Sequence, residues 1–170
     1  YCGNTGALSF IITTPNNINI SKKILSIGDI DVVVDNMSII LGDTNVQLEP
    51  LTTYLFMYKW VKNNYSVEVN VMKLVANEKI PKYRLKPEHY KFIDYYKNTS
   101  IYNDSYICQE NTKVILSPNP LLMTNIKLYE GILTNEELFK ESMKYSTNNI
   151  KCVINDCARP LVGDYGFSVR

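Results

Sequence analysis

The stretch "IKLYEGILTNEELFKES", Ile126–Ser142, decides how this chain is read. It is a strand pattern, a tight turn, and then a short helix with a marked start. Thr134 is a good N-cap, because its hydroxyl can accept a hydrogen bond from a free amide of the first helical turn. Glu137, three residues on, completes the T-x-x-E capping box by reaching back toward the Thr134 amide. Leu133 before the cap and Leu138 at the fourth helical position form the pair of a hydrophobic staple. Glu136 and Glu137 stand near the positive end of the helix dipole, and Lys140 and Lys144 come later. The apolar face is small: Leu138, Phe139 and Met143. A cap contributes about 1 kcal/mol, so a helix this short owes most of its stability to docking. It is predicted to plug or cover one edge of a β-sandwich.

Outward from this helix the chain is strand-like. "ALSFIITT" (Ala7–Thr14) is rich in β-branched residues, and "KILSIGD" (Lys23–Asp29) ends at Gly28-Asp29. "IDVVVDNMSIILGD" is a hairpin, with Asp35-Asn36 as turn residues that tolerate positive φ. A short strand is predicted at Val46–Leu48, a longer one at Thr53–Val61, a turn at 62–64 and a strand at Ser66–Leu74. In the last, Val67, Val69 and Val71 share one face, the alternation of a half-buried antiparallel strand. Thr53–Val61 is apolar on both faces, so it is predicted to be central, with Trp60 in the core. Further strands are predicted at Lys113–Ser117 and Thr124–Tyr129, and a short one at Ile150–Ile154. From Ile80 to Ser105 the alternation breaks, and this tyrosine-rich segment reads as a long loop with one helical turn at Pro87–Tyr95. Many short strands with hairpin turns and one late helix indicate an all-β antiparallel sandwich.

The residues of the opening stretch carry a resemblance. Ile126, Leu128, Tyr129, Leu133, Thr134, Glu136, Glu137 and Leu138 resemble the closing motif of laminin-G-like, or concanavalin A-like, jelly-roll domains. In that family a strand ending in an I-x-L-Y-type sequence is followed by a turn, an apolar residue, Ser or Thr, and x-E-E-L. "ALSFIIT", "ILSIGD", "IDVVVDNMSIILGD" and "LTTYLFMYKWVKNNYSVEVNVMKLV" are similar, more loosely, to the family's earlier strands. The resemblance spans Ala7 to Tyr145 apart from Ile80–Ser105. It lacks the glycine that often ends the last of those strands in the family, with Met72-Lys73 in that region here. It implies one jelly-roll β-sandwich domain over residues 1–170, with an insertion at about 80–107, a cysteine-containing tail at 146–170 and one short C-terminal helix. Together with a composition rich in Asn and Ile, it points to relatives among large DNA viruses or secreted surface proteins.

Composition narrows the function classes. The 170 residues are 45% hydrophobic and 21% charged, with a net charge of +1. That suits one globular domain. It lacks the surplus of Lys and Arg with which general nucleic-acid binders displace counterions. No apolar run approaches the ~20 residues of a membrane span. The chain starts at Tyr1, which fits either a larger chain shown in part or, the favoured reading, removal of a signal or of an N-terminal anchor, the only membrane link expected. Four cysteines, Cys2, Cys108, Cys152 and Cys157, favour disulfides in an oxidising compartment. Cys152 can close a local loop with Cys157 while Cys2 reaches Cys108. Alternatively Cys2 staples the N-terminus to the tail, and four free thiols are the bland case. Zinc is disfavoured, since there is no CxxC and His89 is the only histidine. Sequons at Asn19, Asn36, Asn64, Asn98 and Asn103 fit a glycoprotein of the extracellular space, the secretory lumen or a virion surface.

No constellation carries chemistry strongly. Asp29, Asp31 and Asp35 share a strand face, but their spacing and identity do not match the paired carboxylates that flank a glycosidic bond. No nucleophilic triad can be assembled around His89. No catalytic residue and no obligatory cofactor is assigned, although Asp29, Asp43 or Asp104 could contribute oxygen ligands to a rim calcium ion of the kind some laminin-G-like domains hold. The cluster Tyr83, Tyr90, Phe92, Tyr95, Tyr96, Tyr102 and Tyr106 is more suggestive. Tyrosines offer an apolar face and a polar tip, useful for packing a long segment or for contacting a partner. Tyr90, Tyr95, Tyr96 and Tyr102 are the binding candidates. The expected function is non-enzymatic binding or assembly through protein partners, the alternative a lectin that stacks glycans, and a divergent glycoside hydrolase comes third.

Overall fold

The structure, a computed structural model, describes residues 5–27, 30–61, 66–101, 114–116, 121–131, 134–143 and 167–169. Eleven strands and one helix occur among them: β1 (Thr5–Thr13), β2 (Ser21–Ile27), β3 (Ile30–Asp35), β4 (Ser38–Leu41), β5 (Thr44–Gln47), β6 (Thr53–Val61), β7 (Ser66–Ala76), β8 (Tyr90–Ile101), β9 (Val114–Leu116), β10 (Leu122–Glu130), α1 (Asn135–Ser142) and β11 (Phe167–Val169). They form a six-stranded sheet in the order β11-β10-β1-β6-β7-β8 and a five-stranded sheet in the order β5-β4-β3-β2-β9. All pairings are antiparallel except β10–β11, which is parallel. The described residues are thus all-β, with one short helix.

The two sheets share one core, which gives the fold its sandwich-like character. Leu8, Phe10 and Ile12 of β1 and Tyr54, Phe56, Tyr58 and Trp60 of β6 belong to the same buried cluster as Val32 and Val34 of β3 and Ile39 and Leu41 of β4. Period-2 alternation explains the selection, since residues two apart in a strand share a face. Phe10 and Phe56 are register partners and stack with ring centroids 5.1 Å apart, a cross-strand aromatic pair of the kind that holds sheets in register. Beside them Gly6 pairs with Trp60. A Cβ on Gly6 would lie 2.5 Å from the indole Cζ2 and 2.6 Å from the Tyr129 carbonyl oxygen. The indole therefore occupies the space that a side chain on β1 would need. The expectation of a central β6 with a core Trp60 is met.

The outer face of the six-stranded sheet is also apolar, and α1 lies on it. Leu138 is fully buried among Ala7, Ile11, Leu55, Met57 and Tyr129, and Phe139 meets Phe92 edge-on at 6.3 Å. The helix thus covers a sheet face, not the edge that its short apolar side suggested. Its position follows from β6, whose Leu55 and Met57 leave an apolar outer face to bury. Both helix ends are tied down. Asn135 donates to Glu68 and accepts from the Lys59 ammonium, while Lys127, itself buried, donates to the Glu141 carbonyl at the helix C-terminus, where a cation is favoured. Thr134 caps as predicted, accepting from the Glu137 amide at 3.2 Å. The Glu137 carboxylate, however, accepts from the Thr134 hydroxyl at 3.1 Å and does not reach back to the backbone. Leu133 and Lys144 lie outside the described residues.

The largest correction concerns the segment read as a loop. Tyr90–Ile101 is β8, paired with β7 over its whole length, and the helical turn that leads into it is a single 3-10 turn at Pro87–His89. Its alternation is disguised by a register shift opposite Val71 and Met72, which pair with Tyr96 and Asp94 and leave Tyr95 without an opposite residue. Such a bulge presents consecutive side chains to the same side, so Tyr95 and Tyr96 both pack against the inter-sheet core. A second bulge interrupts β10, where Asn125 takes φ 52°. Asn tolerates that left-handed conformation better than most residues. The strand predicted at Ile150–Ile154 lies outside the described residues, and β11 is a strand that the sequence pattern did not predict.

Candidate interaction site

The connection from β7 to β8 is the part of the tyrosine-rich segment that stays out of the core. At its base Ala76 pairs with Tyr90, and the Asn77 amide donates to the His89 carbonyl at 2.8 Å. Above that closure the backbone is braced by local bonds. The Asn77 side chain accepts from the Lys79 amide at 3.0 Å, and Ile80 donates to the Asn77 carbonyl at 3.2 Å. Two 3-10 turns follow, Lys82–Arg84 and Pro87–His89, and neither contains a buried residue. Pro81 and Pro87 pre-set the backbone for these turns. His89 closes the second one, since its Nδ1 accepts from the Lys86 amide at 3.0 Å. This lone histidine, around which no nucleophilic triad can be assembled, is a brace.

The lobe is positively charged with an aromatic at its tip. Tyr83 is 84% exposed, the most exposed large hydrophobic residue among those described. The Arg84 guanidinium lies 5.8 Å from its ring centroid, within cation–π range. Lys79, Lys82, Arg84 and Lys86 are all exposed. Glu78 and Glu88, next to Asn77 and His89, both adjoin the closure at the base of the lobe.

The four tyrosines singled out from the sequence have different placements. Tyr95 is a latch between the sheets. Its ring packs on Tyr54 at 5.1 Å, its hydroxyl donates to the Gln47 carbonyl at 2.7 Å, and Lys73 lies 5.4 Å from its centroid while pairing with Glu49 at 2.7 Å. Asn98 adds a second tie, donating to Thr44 of β5 at 3.4 Å. Edge strand β8 is therefore fastened to edge strand β5 across the side of the fold. Beneath the latch the Tyr54 hydroxyl accepts from the Glu49 amide at 2.6 Å, and burial, only partly offset by that bond, raises its pKa well above the ordinary phenol value. Tyr96 packs on the core, Tyr90 is half-buried at the base of the lobe, and Tyr102 lies outside the described residues. Packing thus occupies Tyr95 and Tyr96, and among the described residues of the cluster the exposed tyrosine ring is Tyr83. It belonged to the tyrosine cluster but was not among the four binding candidates. The signal for it is local: "IPKYRLKP" sets one aromatic among cations between two prolines.

The other candidates are dispersed. Asp31 is engaged by Lys23 at 3.3 Å and by the Ser26 hydroxyl at 2.8 Å, Asp35 ends β3, and Asp29 lies outside the described residues. For calcium, Asp43 is exposed in the β4–β5 turn and Asp104 lies outside; among the described residues no group of three or more His, Cys, Asp or Glu side chains could hold a metal ion. Of the sequons, Asn19 and Asn36 are exposed, Asn36 with φ 52° in the β3–β4 turn as its residue type predicted. Asn98 is half-buried with its amide engaged, and Asn64 and Asn103 lie outside. Cys2, Cys108, Cys152, Cys157 and Tyr106 also lie outside the described residues. Among the described residues no helix is long and apolar enough to cross a membrane.

No protein-family model matches this chain, and no curated protein matches it in sequence. The class it falls into is therefore defined by geometry: an all-β chain whose two sheets share a core, with a helix on one outer face and a basic, tyrosine-tipped lobe between β7 and β8.

Proposed function

We propose that the chain is a laminin-G-like, concanavalin A-like jelly-roll sandwich that acts as a non-enzymatic binding and assembly module, extracellular or on a virion surface, through protein–protein contacts. The closing motif at Ile126–Leu138 and the two sheets with a shared core support the fold part. One observation carries the function part: Tyr83 is 84% exposed on a lobe with no buried residue in its turns. A tyrosine in the core serves stability. A tyrosine held out in water by proline-braced turns serves no folded-state packing, yet it is the residue type that anchors interfaces, because it buries a large area for little lost conformational freedom. The lobe is already ordered by its own hydrogen bonds, which lowers the entropic cost of docking.

The test is site-specific photo-crosslinking. Tyr83 is replaced by a benzoylphenylalanine in the full chain, expressed in the cells or particles that carry it, with the same replacement at exposed Asn16 as control. A discrete protein adduct at position 83 and none at position 16 is the expected result. Absence of any protein adduct, together with specific and saturable binding on a glycan array, contradicts this reading and favours the lectin.

A further inference from the structure

Resting on that reading, we infer that the β7–β8 lobe takes a short acidic segment of a partner protein, with Tyr83 seated in an apolar pocket of that partner and Lys82 and Arg84 on its carboxylates. Charge is the first indication. From Lys79 to Lys86 every charged residue is positive: Lys79, Lys82, Arg84 and Lys86, four in all, in a chain whose net charge is only +1. The ion pairs among the described residues engage Lys23, Lys59, Lys73 and Lys97, and none of the four lobe cations. Those four therefore make no ion pair among the described residues, and Arg84 lies against the Tyr83 ring. Held on one small lobe they repel each other, an arrangement relieved by an anionic partner.

The extent of the patch and the tip select the kind of anion. The four cations lie within Lys79–Lys86, a short stretch, while Glu78 and Glu88 both adjoin the Asn77–His89 closure at the base of the lobe. A short acidic segment matches that extent; a long polyanion, such as a sulfated glycan or a nucleic acid, would leave most of its charge unmatched. Tyr83 makes the second demand. Its ring presents a large apolar surface, and a protein supplies the matching pocket that desolvates such an anchor. The nearby Arg84 guanidinium adds a planar fork suited to a carboxylate.

The experiment is selection of a displayed random peptide library on the immobilised full chain, followed by affinity measurements on the enriched peptides. Parent, Tyr83→Ala, and Lys82→Glu/Arg84→Glu are compared. All three replaced residues are exposed, and equal thermal midpoints confirm that the variants fold. The expected result is enriched peptides with Asp or Glu beside an apolar residue, binding that weakens about tenfold or more in each variant, and further weakening as salt rises. The acidic partner is overturned if the enriched peptides show no acidic bias, if charge reversal leaves their affinity unchanged, or if heparin oligosaccharides bind this lobe while no peptide is enriched. Failure of the broader proposal looks different: no protein adduct forms at position 83. A crosslinked adduct at position 83 that survives charge reversal leaves protein contact standing and removes only the acidic partner.

Discussion

Leu138→Ala tests how the late helix is held. Its side chain is fully buried against Ala7, Ile11, Leu55, Met57 and Tyr129. Truncating a buried Leu costs about 2–5 kcal/mol, the lost transfer free energy plus the cavity left behind. Here α1 sits on a sheet face and, in the truncated protein, can lift away instead of leaving a cavity. The cost should therefore fall in the lower half of that range. The cap gives the contrast. Thr134→Ala removes one acceptor for the Glu137 amide and costs about 1 kcal/mol. Denaturant unfolding measures both losses. Hydrogen exchange of the Leu138 and Met143 amides, which donate to the Thr134 and Phe139 carbonyls, shows whether the helix opens locally. In Leu138→Ala those amides should lose protection while the amides of β6 keep theirs. The reasoning is refuted if Thr134→Ala destabilises more than Leu138→Ala, or if the helix amides remain as protected as those of β6.

Other outcomes follow from single positions. Gly6→Ala should cost about 1–3 kcal/mol in denaturant unfolding, as overpacking does, because its Cβ meets both the Trp60 ring and the Tyr129 carbonyl; an unchanged midpoint contradicts the pairing of Gly6 with Trp60. Leu51 has φ 50° and is 66% exposed, a left-handed conformation that costs a branched residue about 1–2 kcal/mol, so Leu51→Asn should raise stability by roughly 0.5–1 kcal/mol and shift the thermal midpoint up. Tyr54 titrates higher when folded than its reference of 10.0. Its contribution is therefore complete below about pH 10 and declines above it by about 1.4 kcal/mol per pH unit until the folded hydroxyl ionises. Tyr54→Phe leaves the Glu49 amide without its acceptor and costs about 1–2 kcal/mol near neutrality, and the gap between parent and variant should narrow as pH rises past 10 in parallel unfolding titrations.

The sequence declared its regular elements and hid its irregular ones. β6 and the first half of β7 were legible from their apolar alternation: Tyr54, Phe56, Tyr58 and Trp60 face the same core as Val67, Val69 and Val71. The β3–β4 turn was legible because Asn36 is suited to positive φ. β8 was not, because the bulge at Tyr95 puts two consecutive tyrosines on one side and breaks the period on which strand reading rests. The bulge at Asn125 was hidden for the same reason inside a strand otherwise correctly placed. β11 is short, and nothing local announces a parallel pairing with β10. The docking face of α1 depends on the outer residues of β1 and β6, which lie far from it in sequence. For the site, composition marked the tyrosine-rich segment but could not sort its rings. Tyr95 and Tyr96 are packed because β8 pairs with β7. Tyr83 is exposed because Pro81 and Pro87 bound turns that leave the sheet.

That division implies that folding and binding are separable. The most direct measurement replaces Glu78–Glu88 with Asn-Gly, so that Asn77 and His89, already joined by a backbone hydrogen bond, flank a two-residue hairpin turn. The account predicts a folded protein with unchanged far-ultraviolet dichroism and stability equal to the parent or higher, because a shorter loop costs less entropy to close. It also predicts that this protein no longer competes with the parent for the partner crosslinked at position 83. A replacement that unfolds the chain, or one that folds and still competes fully, contradicts the claim that this lobe lies outside the core and carries the interaction.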